Sequence, residues 1–312
     1  MNQIDISIII VNWNTKKLLA SCISSIYSNI SGLRYEIIVV DNGSKDSSAE
    51  MVKSLYPQVR LIENKENLGF AVANNQAFKI MNGRYALLLN TDCILTRGAV
   101  EALFNFMEHH PKAGMCCGQL LNLDGSKQNS FSNFPCLLEY ITNKSLLRFI
   151  YRSKFPSKYV SYTNPVEVDS CIGACVMIRK EALEEVGYFD EDYFFFYEET
   201  DLAFRMKKKG WKIYFIPNAY IYHAQGKSIG SGATSRLMFY KSMYRFLKKH
   251  YKTYWIYRGI IFIRICLNMW LNLVGIIFSF GLNKTVRDKF IRYTKLIVWH
   301  LKGCPQVYPN GE

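Results

Sequence analysis

Tyr85-Ala-Leu-Leu-Leu-Asn-Thr-Asp92 is the stretch from which the fold can be read. Five apolar residues run directly into Asn90 and Asp92. A run this short suits a strand of a parallel sheet, buried on both faces. Its polar end then emerges at the carboxyl edge of the sheet, where open α/β folds bind ligands. Two side chains spaced i, i+2 at that edge can reach one bound ion or diphosphate. A hard divalent cation such as Mg2+ or Mn2+ prefers oxygen donors and often shares its shell with phosphates. An ordinary capping turn has the same composition, so the surrounding residues carry the weight.

Upstream, Ile4 to Val11 reads as a buried first strand ending in Asn12-Trp-Asn-Thr15. Thr15 is placed to cap a helix with Leu18, Leu19, Cys22, Ile23 and Ile26 on one face. Arg34 to Val40 is a second strand, closed by the turn signal Asp41-Asn-Gly-Ser44. A helix over Ser47 to Leu55 and a short strand over Val59 to Ile62 follow. Asn67-Leu-Gly-Phe70 opens a helix running to about Met81, and Ala99 to His110 is a helix after the opening strand. Strands alternating with helices predict a mostly parallel α/β sheet. The first strand lacks the Gly-x-Gly-x-x-Gly of a Rossmann turn. Gly226-Lys-Ser228 resembles the end of a P-loop, but Ile221 stands where the earlier glycine belongs.

Downstream, Cys116 to Leu123 reads as a fifth strand, and Asp124 to Pro165 as an irregular excursion able to touch substrate. Val166 to Arg179 resumes a strand pattern around Gly173-Ala-Cys-Val-Met-Ile178. Tyr193-Phe-Phe-Phe-Tyr-Glu-Glu-Thr-Asp201 then sets aromatics against three carboxylates, with Glu198 and Glu199 leading a helix. Acids also serve at a helix start as dipole partners. Ile213 to Ile216 and Ala219 to Tyr222 are short strands leading to His223, and Gly226 to Ser235 is a glycine- and serine-rich loop expected to move.

Hydrophobic residues make up 49% of the 312, which excludes wholesale disorder. Nine cysteines without a Cys-x-x-Cys pair argue against a zinc ribbon and fit a reducing cytoplasm. Cys171 and Cys175 form a possible metal half-site, with small buried strand residues as the competing reading. Ile6 to Val11 is too short for a secretory signal and follows Asp5.

In this order, Ser7 to Asn14, Val40-Asp-Asn-Gly-Ser44, Asn67-Leu-Gly-Phe70, Leu89-Asn-Thr-Asp92, Gly187 to Arg205 and His223 resemble the inverting nucleotide-sugar glycosyltransferases of family 2, especially bacterial rhamnosyltransferase-like members. Each motif is weak, but six in order are specific, and they cover roughly Asp5 to Ser235. The resemblance implies a GT-A fold over residues 1–240 and a divalent metal, Mg2+ or Mn2+. It implies that Asp41 contacts the base or ribose of a nucleotide-diphosphate sugar donor. Asn12, Asn14, Asn67, Gly69 and Asn90 line the rest of that site. Asp92 becomes the main metal ligand, with His223 completing the set. Asn90 stands where the family's Asp-x-Asp motif has its first Asp. Glu199 aligns with the catalytic base, usually an Asp, and Glu198 is the alternative. The implied acceptor is a glycan or lipid-linked hydroxyl in bacterial surface polysaccharide synthesis. A non-catalytic glycan- or nucleotide-binding scaffold at the membrane is the competing function.

From Lys241 onward, 13 Lys or Arg stand against two acids, which puts +11 of the chain's +14 in the final 72 residues. Tyr254 to Leu282 is strongly apolar, interrupted by Arg258 and Arg264, and Lys284 to Lys302 is basic and amphipathic. This 241–312 extension suits the anionic inner face of the cytoplasmic membrane, with peripheral attachment expected. A domain-packing or homodimer-forming hairpin is the alternative. Nucleic acid fits poorly, because the charge is interleaved with long apolar runs rather than base-stacking platforms.

Overall fold

The computed structural model describes residues 3–142, 147, 149–151, 160–224 and 233–305. Most of the Gly226 to Ser235 loop lies outside them. The chain divides into two compact units: residues 1–134 with 156–228, and residues 135–155 with 229–312.

The first unit is built on nine strands in the order β3-β2-β1-β4-β10-β6-β11-β5, with β8 paired to β11. These are β1 (Ile6–Asn12), β2 (Tyr35–Asp41), β3 (Arg60–Glu63), β4 (Tyr85–Leu89), β5 (Cys93–Leu95), β6 (Ala113–Leu121), β8 (Val166–Glu167), β10 (Cys175–Arg179) and β11 (Lys212–His223). A two-stranded ribbon pairs β7 (Phe131–Ser132) with β9 (Ser170–Cys171). Strands β1 to β4, β6 and β11 run one way, while β10 lies antiparallel between β4 and β6. The sheet is thus mostly parallel, and its carboxyl edge carries the ends of β1, β2 and β4.

Alternation along the central strands explains the layering. Ile6, Ile8 and Ile10 of β1, with Tyr85, Leu87 and Leu89 of β4, pack toward α1 (Lys16–Asn29), α2 (Ser48–Leu55) and α4 (Ala99–His109). Ile9, Ala86 and Leu88 face the other way, toward α3 (Phe70–Phe78), α6 (Lys180–Val186) and α7 (Glu198–Lys208). Strands buried on both sides need the near-continuous apolar runs seen here. Each buried Ile or Leu contributes about 1.5–3 kcal/mol of transfer free energy.

Two details differ from the sequence reading. The two short strands before His223 are one, β11, with a register break between Ile216 and Tyr220 against β6. Pro217 and Asn218 read as strand breakers, but a bulge absorbs them. Gly118 leaves room for that bulge, since a Cβ there would lie 2.3 Å from the Ala219 carbonyl oxygen. Helix α6 was not foreseen; its seven residues are too few to reveal a helical period.

The second unit contains α5 (Leu137–Ile141), α8 (Ala233–His250), α9 (Tyr254–Phe278) and α10 (Lys284–Leu301). It therefore takes up 135–155, the middle of the stretch read as irregular. Tyr257, Ile261 and Ile265 form the buried stripe of α9. The Tyr257 hydroxyl donates to the Pro135 carbonyl (3.3 Å), and Arg264 Nη1 donates to the carbonyls of Glu139 (3.0 Å) and Tyr140 (3.2 Å). Among the described residues, α9 is the one helix long and apolar enough to cross a membrane.

Candidate active site

Parallel pairing of β1 with β2 sets Asn12 directly opposite Asp41. Asn12 Nδ2 donates to Asp41 Oδ2 (2.8 Å) and Ser44 Oγ (3.0 Å), and the Ser44 N–H donates to Asp41 Oδ1 (2.9 Å). The Thr15 hydroxyl does not cap α1. It donates to Asn12 Oδ1 (2.7 Å) and lies 2.9 Å from Thr91 Oγ1. The ends of β1 and β2 are thereby tied to the Asn90–Asp92 turn. Asn14 adopts φ 54° and accepts from the Lys45 N–H at 2.7 Å, while its own N–H donates to Ser44 Oγ at 2.9 Å.

Asn42 joins Asn67 and Gly69 to this edge. Its Nδ2 donates to Asn67 Oδ1 (2.8 Å) and to the Gly69 carbonyl (3.3 Å), and its Oδ1 accepts from the Leu68 N–H (3.1 Å). Gly69 has φ +89°, and a Cβ there would lie 2.7 Å from the Phe194 carbonyl oxygen. That same carbonyl accepts from the Phe70 N–H at 2.7 Å, which fastens the aromatic run to the start of α3.

Antiparallel pairing of β5 with β11 puts Cys93 opposite His223, which carries the imidazole to Asp92. His223 Nε2 lies 3.4 Å from Asp92 Oδ1. Asp92 is buried, and neither carboxylate oxygen has a hydrogen-bond partner. A buried carboxylate with no donor is costly unless a cation completes it, so the donor set fits a divalent metal. Cys93 Sγ shares the cluster, all ligand atoms lying within 4.8 Å of one another. It is a poor ligand for a hard cation: it donates to the Ala174 carbonyl (3.3 Å), and burial pushes its pKa well up.

The loop between β9 and β10 connects this turn to the carboxylates. The Asn90 N–H donates to the Ala174 carbonyl at 2.9 Å. One residue earlier, Gly173 lies against Glu199 and donates its N–H to that carboxylate. Burial raises the Glu199 pKa to about 7, opposed by backbone N–H donors of Glu199, Gly173 and Thr200. Glu198 is more strongly raised, first by burial and then by the charge of Glu199. Each glutamate keeps one buried oxygen, Oε2, without a partner. Asp201, the third carboxylate of the run, is structural. It pairs with Arg205 Nε at 2.8 Å, while the same guanidinium donates to the carbonyls of Val186, Gly187 and Tyr188.

Thr15, Asn42, Ser44 and Thr91 belong to this network and were not read as site residues from sequence, Thr15 having been assigned to a helix cap. The signal for Ser44 was present, at the end of the Asp41 turn. Cys171 and Cys175 are both buried in strands, and burial leads the upward pKa shift of each.

Comparison with known proteins follows the same lines. The profile of Glycosyl transferase family 2 matches residues 7–187, more than half of the chain. An N-acetylglucosaminyl-diphospho-decaprenol L-rhamnosyltransferase of Mycobacterium tuberculosis is 29% identical over 234 residues, covering 70% of this chain and 76% of that one. The low-salt glycan biosynthesis hexosyltransferase Agl10 of Haloferax volcanii is 27% identical over 213 residues, 67% of this chain and 64% of its own. Among solved structures, the mannosyltransferase PcManGT of Pyrobaculum calidifontis, in complex with GDP-Man and Mn2+, superposes with a TM-score of 0.58. It is 16% identical over 96% of this chain and 88% of that one. The architecture is the GT-A fold.

Proposed function

The chain belongs to glycosyl transferase family 2, and from that premise we propose that it moves a hexosyl or rhamnosyl residue from a nucleotide-diphosphate sugar to a hydroxyl of a glycan or lipid-linked acceptor, with inversion at the anomeric carbon. The observation that carries this reading is the Gly173-Ala174 link, which holds a carboxylate titrating near pH 7 beside the turn that bears Asp92.

Asp41, with Asn12 and Asn14, binds the nucleoside of the donor, and Asn67, Gly69 and Asn90 line the path toward the diphosphate. Asp92 and His223 would hold a divalent cation, Mg2+ or Mn2+, which when bound would neutralise the developing charge of the diphosphate leaving group. Glu199 accepts the proton of the acceptor hydroxyl as its oxygen bonds to the anomeric carbon and the bond to the diphosphate oxygen breaks. Glu199 is preferred to Glu198 on physical grounds. A base with a pKa near 7 is substantially ionised at neutral pH, whereas burial and the charge of Glu199 favour the protonated form of Glu198.

Catalysis is assigned to the first unit and attachment to the second. Peripheral binding to the inner face of the cytoplasmic membrane is supported by the +11 charge of the final 72 residues and by the exposed apolar face of α9. Arg264, held by two backbone carbonyls, is poorly suited to the centre of a bilayer. Thermal shift with UDP-, GDP- and dTDP-sugars, each with and without Mn2+, tests the donor class. Metal-enhanced stabilisation by one nucleotide family is expected, and no stabilisation by any of them would overturn the reading.

A further inference from the structure

Gln128 lies in the segment between β6 and β7 and is buried. Its amide is fully engaged. Nε2 donates to the His223 carbonyl (2.6 Å) and to Asn122 Oδ1 (2.6 Å), and Oε1 lies 2.8 Å from His223 Nδ1. The segment is itself pinned, since the Gln128 N–H donates to the Leu120 carbonyl (2.8 Å) and Gln119 Nε2 donates to the Gln128 carbonyl (3.1 Å).

These contacts fix both the amide and the ring. A backbone carbonyl only accepts, so the amide nitrogen must face His223 O, and Oε1 must face Nδ1. Two acceptors cannot bond, so Nδ1 carries the hydrogen. In the neutral imidazole, Nε2 is then a bare lone pair. It lies 3.4 Å from Asp92 Oδ1, with no hydrogen between them, and both Asp92 oxygens lack a donor. Two acceptor groups facing each other in a buried gap repel unless something positive joins them.

We infer that Gln128 is the positioning residue of the metal site: by holding His223 through ring and backbone together, it fixes the Nδ1–H tautomer and aims Nε2 at the ion shared with Asp92. Outer partners of metal-bound histidines act in this way, and their loss typically weakens metal binding 10- to 100-fold. Gln128 touches neither donor nor acceptor in this role, which rests on the metal reading above.

Two measurements on the full chain test it. Long-range nitrogen-proton NMR of metal-free protein at about pH 8, where an unperturbed imidazole is neutral, should show His223 protonated at Nδ1. A His223→Asn variant assigns the signal. Mn2+ alone is then titrated, with free Mn2+ followed by electron paramagnetic resonance. Gln128→Met removes the hydrogen bonds at similar volume and should weaken Mn2+ binding by about 10- to 100-fold. Gln128→Glu keeps an acceptor for Nδ1–H but sets an oxygen against the His223 carbonyl and Asn122 Oδ1, so it should recover only part of the affinity lost in Gln128→Met. An Nε2–H tautomer in the wild type would overturn the inference, whether or not the variants fold. So would unchanged Mn2+ affinity in a folded Gln128→Met protein. Asp92→Ala separates this failure from that of the metal reading: only if Asp92→Ala also leaves Mn2+ binding intact does the metal site itself fail.

Discussion

Glu198, buried, and Glu199, half-buried, are adjacent at one helix start, yet they are given different work by their surroundings. Burial raises Glu199 to about 7 against three backbone N–H donors, while Glu198 is raised well above its ordinary value by burial and by its neighbour. Glu199→Gln should keep donor binding and lower turnover by roughly 10²-fold or more, the range for a positioned base. Glu198→Gln should change turnover far less, because burial and the neighbouring Glu199 favour its protonated form. Steady-state kinetics with donor titrations decides between them, and the reverse pattern would move the base to Glu198. The pH dependence has two opposite signs. Activity should rise with pH to a plateau, with an acid limb near pH 7 from Glu199. Stability should fall over the same range: the folded carboxyls bind protons above their ordinary value of 4.5, so the unfolded chain holds fewer protons as pH rises. Glu199→Gln should flatten the decline in Tm between pH 5.5 and pH 8, and an unaltered slope would count against the buried pair.

At the scale of elements, the β4 strand and its polar end were legible because five apolar residues leave few other structures open. The turn at Asp41 was legible from asparagine and glycine chemistry, and Asn67-Leu-Gly-Phe70 was legible as the opening of a helix, α3. Thr15 was misread as a cap because sequence gives the residue type but not the choice between a backbone N–H and the Asn12 side chain. Gln128 carried no signal at all: it sits in an apparently irregular stretch, and its partner His223 is 95 residues away. The antiparallel insertion of β10 was equally hidden, since an apolar run does not reveal its direction. Gly69 offers the sharpest test at this level. With φ +89° and a Cβ position 2.7 Å from the Phe194 oxygen, Gly69→Ala combines backbone strain with a clash. Strain alone costs of order 1–3 kcal/mol. The urea midpoint should fall by at least that equivalent, with donor affinity falling too, and an unchanged midpoint would mean that the aromatic run is not fastened there.

Over the whole molecule, charge and apolar surface are concentrated in the second unit. Trp270 is 61% exposed, Leu271 69% and Phe278 81%, all on α9. Each basic residue near an anionic surface contributes about 1 kcal/mol, and inserted apolar side chains add to it. Binding to anionic vesicles should weaken with salt, and Trp270→Glu with Leu271→Glu should lose most of it while donor affinity stays unchanged. Substitution is a cleaner test than truncation, because 135–155 belongs to the same compact unit as the C-terminal helices. Wild-type protein that ignores anionic vesicles would make the exposed face a packing or dimerisation surface instead. The central claim, a metal-assisted nucleotide-sugar site at the end of β4, is tested most directly by calorimetry of UDP, GDP and dTDP binding to wild-type and Asp92→Ala proteins, with and without Mn2+. One nucleotide should bind the wild type more tightly when Mn2+ is present, and Asp92→Ala should lose that gain while remaining folded. Equal metal-dependent affinity in both proteins would contradict the account.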